Sequence, residues 1–127
     1  MSAEHALPHA LGRDEAEHYR WGEGCDGWHL RQGADLSVIE ERVPAGVGEC
    51  AHRHHRAEQV FYLLEGAAVM EFETHDVALA AGQSVQVPAG VAHRFVNRSA
   101  AAVRFLVISA PTTRGDREDL PTWRADD

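Results

Sequence analysis

The 127-residue sequence contains no lysine, because all 12 residues of its Lys+Arg count are arginines. Chemistry through a Schiff base on a protein lysine is therefore excluded. Long apolar runs are also missing, and no segment approaches the ~20 residues that a membrane-spanning helix needs. Residues 1–10 lack the cationic start and apolar stretch of a signal peptide. These absences predict a soluble protein, located by default in the cytoplasm.

Positive charge and cysteine are both scarce. The net charge is −8 and the sequence pI is about 5.5. Nucleic acids and anionic lipid surfaces are bound through basic surfaces, so neither is an expected partner. The two cysteines, Cys25 and Cys50, do not form a close metal-binding pair, and a cytosolic setting predicts that both are free thiols.

The chain is long enough for one domain, which at this size buries roughly two-thirds of its unfolded surface. Residues 1–26 are expected to form an N-terminal arm with a short helix at residues 14–17, where acidic residues follow a possible Asp cap. Residues 27–110 are expected to form the folded body, and residues 111–127 a charged tail that wraps the surface or frays. The Gly- and Trp-rich stretch between Trp21 and Trp28 is expected to have a packing role.

From residue 27 onward, short runs rich in Val, Ile, Leu and Phe alternate with turns that contain Gly and Pro. This pattern is typical of an all-β sandwich or barrel. The predicted strands are residues 28–31, 36–43, 49–54, 59–64, 67–73, 77–80, 84–87, 93–97 and 103–109.

Two histidines stand at the centre of this pattern. Side chains two apart in a strand point to the same face, so His52 and His54 present two imidazoles side by side, as half of a metal site. His93 is a third candidate, because it follows a Pro-Ala-Gly turn at residues 88–90. Imidazole is a ligand for Zn, Fe, Mn, Ni or Cu. Periodicity alone does not bring His93 to the other two.

The chain resembles the cupin superfamily in two motifs. The first, G-x5-H-x-H-x(3,4)-E-x6-G, is matched at Gly46, His52, His54 and Gly66. The second, G-x5-P-x-G-x2-H-x3-N, is matched at every fixed position, namely Gly82, Pro88, Gly90, His93 and Asn97. The resemblance implies an all-β, single-domain jelly-roll barrel with short terminal extensions. It also implies one divalent metal ion (Fe, Mn, Ni or Zn) on the three histidines, and a homodimer.

The resemblance departs from the motif at the fourth ligand. Counting back from Gly66 by the six-residue spacer reaches Gln59, where cupins most often have glutamate, whereas Glu58 is one residue out of register. A shift of one residue reverses the face of a strand, so only one of the two can point into the barrel. The spacer favours Gln59, with Glu58 as the alternative.

The rest of the site is less defined in the sequence. Phe61, Leu63 and Phe95 are expected in the core, and in a small barrel such residues can also line the pocket. No catalytic residue is assigned, and with Glu58 pointing outward proton transfer would fall to metal-bound hydroxide or to another residue, such as Glu40.

Functionally, the resemblance implies a small-molecule metalloenzyme, with a dioxygenase-like reaction slightly preferred. One alternative is a metal-dependent isomerase or lyase acting on a sugar acid or keto acid. The other is a non-catalytic module that binds a small ligand.

Overall fold

The computed structural model describes residues 7–124, which contain eleven β-strands and no helix. The strands are β1 (Glu17–Trp21), β2 (Cys25–Gln32), β3 (Ser37–Val43), β4 (His52–Arg53), β5 (Glu58–Glu65), β6 (Ala67–Phe72), β7 (Asp76–Ala80), β8 (Ser84–Val87), β9 (His93–Val96), β10 (Val103–Ala110) and β11 (Glu118–Asp119).

The strands form two antiparallel sheets. The six-stranded sheet has the order β1-β2-β3-β10-β5-β8, and the five-stranded sheet has the order β11-β4-β9-β6-β7. From β3 onward, successive strands alternate between the two sheets, except β6 and β7, which are neighbours in the five-stranded sheet. The fold is therefore all-β, as the sequence predicts.

The hydrophobic core lies between the sheets because inward positions alternate with outward ones along each strand. In β10, residues 103, 105, 107 and 109 are buried and the residues between them are not. Phe95 and Phe105 stack at the centre of the core, with ring centroids 4.0 Å apart. Among the described residues, none forms an apolar helix of membrane-spanning length.

The N-terminal part of the chain differs from the prediction. The helix predicted at residues 14–17 is absent: Glu15 and Ala16 donate to the carbonyl of Gly12 in a turn, and β1 begins at Glu17. One helical turn offers too few hydrogen bonds to offset the cost of nucleation, whereas the residues from Glu17 onward pair with β2. The β-sheet therefore begins before residue 27, and residues 1–6 of the expected arm lie outside the described residues.

The tail is more regular than the sequence predicts. Its Glu118 and Asp119 form β11 and pair with Arg53 and His52 of β4. Residues 125–127 of the expected tail lie outside the described residues. The C-terminal segment is therefore part of the five-stranded sheet at the position where two of the candidate metal ligands lie.

Asn97, the last residue of the second motif, joins three segments of the fold. It is completely buried, and its Nδ2 donates to the carbonyls of Val43, Pro44 and Ala101 at 3.1, 3.0 and 2.8 Å. Its Oδ1 accepts from the backbone N–H of Ser99 at 3.0 Å. Its role is therefore to join these backbone groups through one buried side chain.

Replacing Asn97 with alanine should destabilise the protein by about 3 kcal/mol, because buried carbonyl groups lose their donors. Chemical denaturation followed by tryptophan fluorescence measures the change. The matched control is Gln86→Ala, which removes an amide side chain exposed on β8 and should stay within about 0.5 kcal/mol of wild type. Equal stability of the two variants would contradict this role of Asn97.

Candidate metal centre

The two motifs bring three histidines together between the sheets. His52 on β4 and His93 on β9 are directly opposite each other across an antiparallel pair. Their ring centroids are 4.4 Å apart, and the ring of His54 lies 4.9 Å from His52 and 5.8 Å from His93. The turn at residues 88–90 is linked to the first motif, because Gly90 donates its N–H to the carbonyl of His54 at 2.6 Å.

Backbone carbonyls fix the orientation of all three imidazoles. The Nδ1 atoms of His52, His54 and His93 lie 2.8, 2.5 and 2.9 Å from carbonyl oxygens. A carbonyl can only accept a hydrogen bond, so each Nδ1 carries the proton and each Nε2 keeps its lone pair. The ligand nitrogens of the three histidines lie within 4.8 Å of one another.

This donor set fits a divalent transition metal ion. His93 is fully buried, and its Nε2 has no hydrogen-bond partner among the described residues. Burial lowers the pKa of His52 to about 3 and that of His93 to about 4, and burial also lowers the pKa of His54. The imidazoles are therefore neutral at physiological pH, which is the form that binds metals.

Gln59 lies beside this cluster, on the inner face of β5. It is 6 % exposed, whereas the neighbouring Glu58 is exposed to solvent. Its Nε2 donates to the hydroxyl of Ser109 at 3.1 Å, and Ser109 is the residue directly opposite Gln59 on β10. The Oε1 of Gln59 is buried and has no hydrogen-bond partner within residues 7–124, and it lies in a cavity that His52 and His54 also line. An unpartnered amide oxygen there is available as a fourth metal ligand.

The cavity in front of the histidines has a volume of about 230 Å³. Phe61 lines it, whereas Leu63 and Phe95 lie in the hydrophobic core. Its polar lining includes four side chains that the sequence reasoning did not assign to the site: Tyr19, Glu41, Glu49 and Arg117. Trp21, from the Gly- and Trp-rich stretch, is also part of its wall.

Tyr19 reaches the cavity over a glycine. It is opposite Gly27 of β2, which in turn is opposite Glu41 of β3. A Cβ atom on Gly27 would lie only 2.2 Å from the tyrosine ring, so only glycine leaves room for it. The Tyr19 hydroxyl then donates to Oε2 of Glu41 at 2.7 Å.

Two carboxyl groups face the cavity, and both are weaker acids than usual. Burial raises the pKa of Glu41 to about 7, against the lowering effect of the Tyr19 hydrogen bond. Burial raises the pKa of Glu49 to about 8, although Oε2 of Glu49 accepts the N–H of Phe95 at 2.9 Å. Groups with pKa values near neutrality can both donate and accept protons at physiological pH.

Glu40, the residue that the sequence reasoning named for proton transfer, points away from the cavity. It contacts Arg104 at 2.8 Å and Arg13 at 3.4 Å on the outer face of the six-stranded sheet. Its neighbour Glu41 faces inward because strand alternation reverses direction at each residue. Of the other missed residues, Tyr19 and Arg117 come from outside both motifs and Glu49 occupies a variable position of the first, so no motif spacing pointed to them.

The fold and the site together define a class of protein: an all-β barrel that holds a buried group of three histidines. The family model of the cupin domain matches residues 39–109. That match covers more than half of the 127-residue chain, and the chain belongs to the cupin family.

This chain spans only part of the length of the curated relatives that it matches. An uncharacterized protein of Methanocaldococcus jannaschii is 25% identical over 83 residues, which are 65% of this chain and 66% of the archaeal protein. The HTH-type transcriptional regulator PuuR of Escherichia coli is 33% identical over 78 residues. These are 61% of this chain but only 42% of the regulator.

Solved structures share the fold at low sequence identity. KdgF from Halomonas superposes with a TM-score of 0.73 at 20% identity, covering 80% of this chain and 94% of that chain. A sugar phosphate isomerase of the cupin superfamily from Silicibacter pomeroyi gives 0.72 at 23%, covering 82% and 76%. A nucleoside dehydratase of Streptomyces gives 0.74 at 15%, covering 91% and 92%.

Replacing His93 with alanine should weaken Co(II) or Zn(II) binding more than about 100-fold, because it removes one of the three imidazole donor nitrogens. Competition against a chromophoric chelator measures the affinity. His55→Ala is the matched control, since His55 follows His54 directly but is exposed and pairs with Glu118. Loss of affinity in both variants, or in neither, would contradict the assignment.

The raised pKa of Glu49 predicts a pH-dependent stability in metal-free protein. A carboxyl whose folded pKa lies above its unfolded value contributes stability at acid pH that is lost as pH rises through the folded pKa. The Glu49→Gln variant should therefore gain thermal stability relative to wild type between pH 5 and about 8, with no further gain above. Calorimetry across this range measures it. The exposed Glu58→Gln variant should show no such trend, and a constant difference for Glu49→Gln would contradict the burial argument.

Proposed function

We propose that this cupin is a metal-dependent isomerase or lyase that moves a proton on a small anionic substrate, such as a sugar acid or keto acid. The observation that carries the proposal is the pair Glu41 and Glu49, whose pKa values of about 7 and 8 place two proton-transfer groups in the cavity of the histidine cluster. From the sequence alone, a dioxygenase-like reaction is slightly preferred, and the motifs offer no carboxylate base once Glu58 points outward. In this proposal, Glu41 and Glu49 supply the missing carboxyl groups.

The metal ligands in this proposal are His52, His54, His93 and Gln59. All four are neutral, so a divalent ion would keep its full positive charge, polarise a carbonyl or carboxylate oxygen of the substrate and acidify the neighbouring C–H group. Fe, Mn, Ni and Zn are all compatible with this donor set.

The two carboxyl groups have different roles. Glu41 accepts a hydrogen bond from Tyr19, which stabilises its ionised form, and it has the lower pKa. It is therefore the base that removes a proton from the carbon next to the substrate carbonyl. Glu49, with the higher pKa, is the acid that returns a proton, so the number of protons on the pair is conserved over the reaction.

Arg117 supports an anionic substrate. Its Nε donates to Asp119 at 2.7 Å, and its side chain lines the mouth of the cavity. The terminal nitrogens of a guanidinium bind a carboxylate in a planar, bidentate geometry. The cavity volume of about 230 Å³ is below the range for drug-sized ligands, which favours a small metabolite.

The test is proton exchange in D₂O. Protein loaded separately with Mn(II), Ni(II), Zn(II) or Fe(II) is incubated with keto acids, sugar acids and matching neutral sugars, and C–H exchange and product formation are followed by NMR. At least one acid should exchange or convert, the neutral sugars should not, and Glu41→Gln should lower the rate at least 100-fold. Arg117→Gln should raise KM about tenfold with a smaller change in kcat.

Glu58→Gln is the matched control, because it removes an exposed carboxylate next to Gln59 and should keep the wild-type rate. Absence of exchange with every loaded metal would contradict the proposal. O₂ consumption by the Fe(II)-loaded protein with one of these substrates would favour a dioxygenase instead.

A ligand-binding module without turnover is the second candidate, favoured by the 33% identity with part of the regulator PuuR. The same experiment separates it from the enzyme. A module would show saturable, His93-dependent binding of an acid by ligand-observed NMR, with no exchange or conversion at any metal loading.

A further inference from the structure

We propose that Asp116, in the C-terminal segment, is a positioning residue for the candidate metal site and holds His54 and the loop after it in place. Asp116 belongs to neither motif, lies far from His54 in sequence, and has no assigned role. The inference rests on the metal-binding part of the proposed function and not on the reaction.

The carboxylate of Asp116 is the centre of a compact hydrogen-bond cluster. Its Oδ1 accepts the N–H of His55 at 2.7 Å, and its Oδ2 accepts those of Arg56 and Ala57, both at 3.0 Å. The residue is only 5 % exposed. Although burial acts to raise its pKa, the three N–H donors lower the pKa to about 2, so the group is ionised at every physiological pH. The loop that connects the histidine motif to β5 is therefore fixed by this side chain.

The backbone of Asp116 contacts a candidate ligand directly. Its carbonyl oxygen accepts the Nδ1–H of His54 at 2.5 Å. For His52 and His93 the corresponding acceptors are Cys50 and Val91, each two residues away in the same segment. The acceptor for His54 is 62 residues away. The orientation and tautomer of His54 therefore depend on the C-terminal segment, whereas those of the other two histidines are set locally.

The strand that precedes His54 provides little support of its own. β4 has only two residues, His52 and Arg53, and a single residue pair joins it to β9. The C-terminal segment covers its other edge through β11, and Leu120 donates its N–H to the carbonyl of Ala51 at 2.8 Å. Asp116 lies at the start of this covering segment, so its loss should loosen His54 more than His52 or His93.

The experiment measures Co(II) binding, since this ion reports its coordination through its visible spectrum. Full-length wild type, Asp116→Ala, His54→Ala and the double variant are titrated in competition with a chromophoric chelator. Asp116→Ala should weaken binding about 10- to 100-fold, the usual cost of losing an outer partner of a ligand. Its spectrum should shift in the direction of the His54→Ala spectrum.

The double variant tests whether Asp116 acts through His54. If it does, Asp116→Ala should cause no further loss of affinity once His54 is alanine, because the two effects are not additive. Glu118→Gln is the matched control. It removes a carboxylate two residues further along the same segment, whose partners are the half-buried Arg53 and the exposed His55, and it should bind Co(II) like wild type.

Asp116→Asn keeps the test decisive if Asp116→Ala does not fold. Asparagine has the same shape, but its Nδ2 faces backbone N–H groups that need an acceptor, so a smaller loss of affinity with the same spectral shift is expected. Wild-type affinity in a folded Asp116 variant, or additive losses in the double variant, would overturn the inference. Because wild-type Co(II) binding is measured first, failure of the metal site itself is distinguished from failure of this role.

Discussion

The site depends on three hydrogen bonds from imidazole Nδ1–H groups to backbone carbonyls. They place the proton of each histidine on Nδ1 and leave the three Nε2 lone pairs directed toward a common point. Burial adds to this arrangement by keeping the rings neutral. Without these bonds, a neutral histidine could equally carry its proton on Nε2, which would then be unable to bind a metal. The convergence of donor atoms is therefore a property of the backbone as much as of the side chains.

The five-stranded sheet supplies His52 and His93, and His54 follows directly after β4, while the six-stranded sheet supplies Gln59, Tyr19 and Glu41. The cavity lies where the inner faces of the sheets meet, so its chemistry combines residues that are remote in sequence. The C-terminal segment adds Arg117 at the mouth and, through Asp116, fixes the loop after the histidine motif. One segment thus contacts both the proposed anion-binding position and the surroundings of a candidate ligand.

Much of this could be predicted from the sequence. Strand alternation paired His52 with His54, and the motif spacing added His93 and placed Gln59 on the buried face with Glu58 outside. The remaining cavity residues could not be predicted because they depend on strand register. Glu40 and Glu41 differ by one position, and only pairing with Gly27 and Phe105 decides that Glu41 is the inward one. A four-residue acidic stretch likewise cannot reveal that the chain enters a sheet edge at Glu17.

The division of the site between motif and non-motif residues also explains why the fold does not determine the reaction. The histidines follow from the two motifs, and a change in Tyr19, Glu41, Glu49 or Arg117 would leave that donor set intact. Structures that superpose with TM-scores of 0.72 and 0.74 are described as a sugar phosphate isomerase and a nucleoside dehydratase, respectively. A shared barrel therefore hosts different chemistry. For this chain, the proposed reaction therefore rests on the residues that share the cavity with the histidines: two carboxyl groups with pKa values near neutrality, and Arg117.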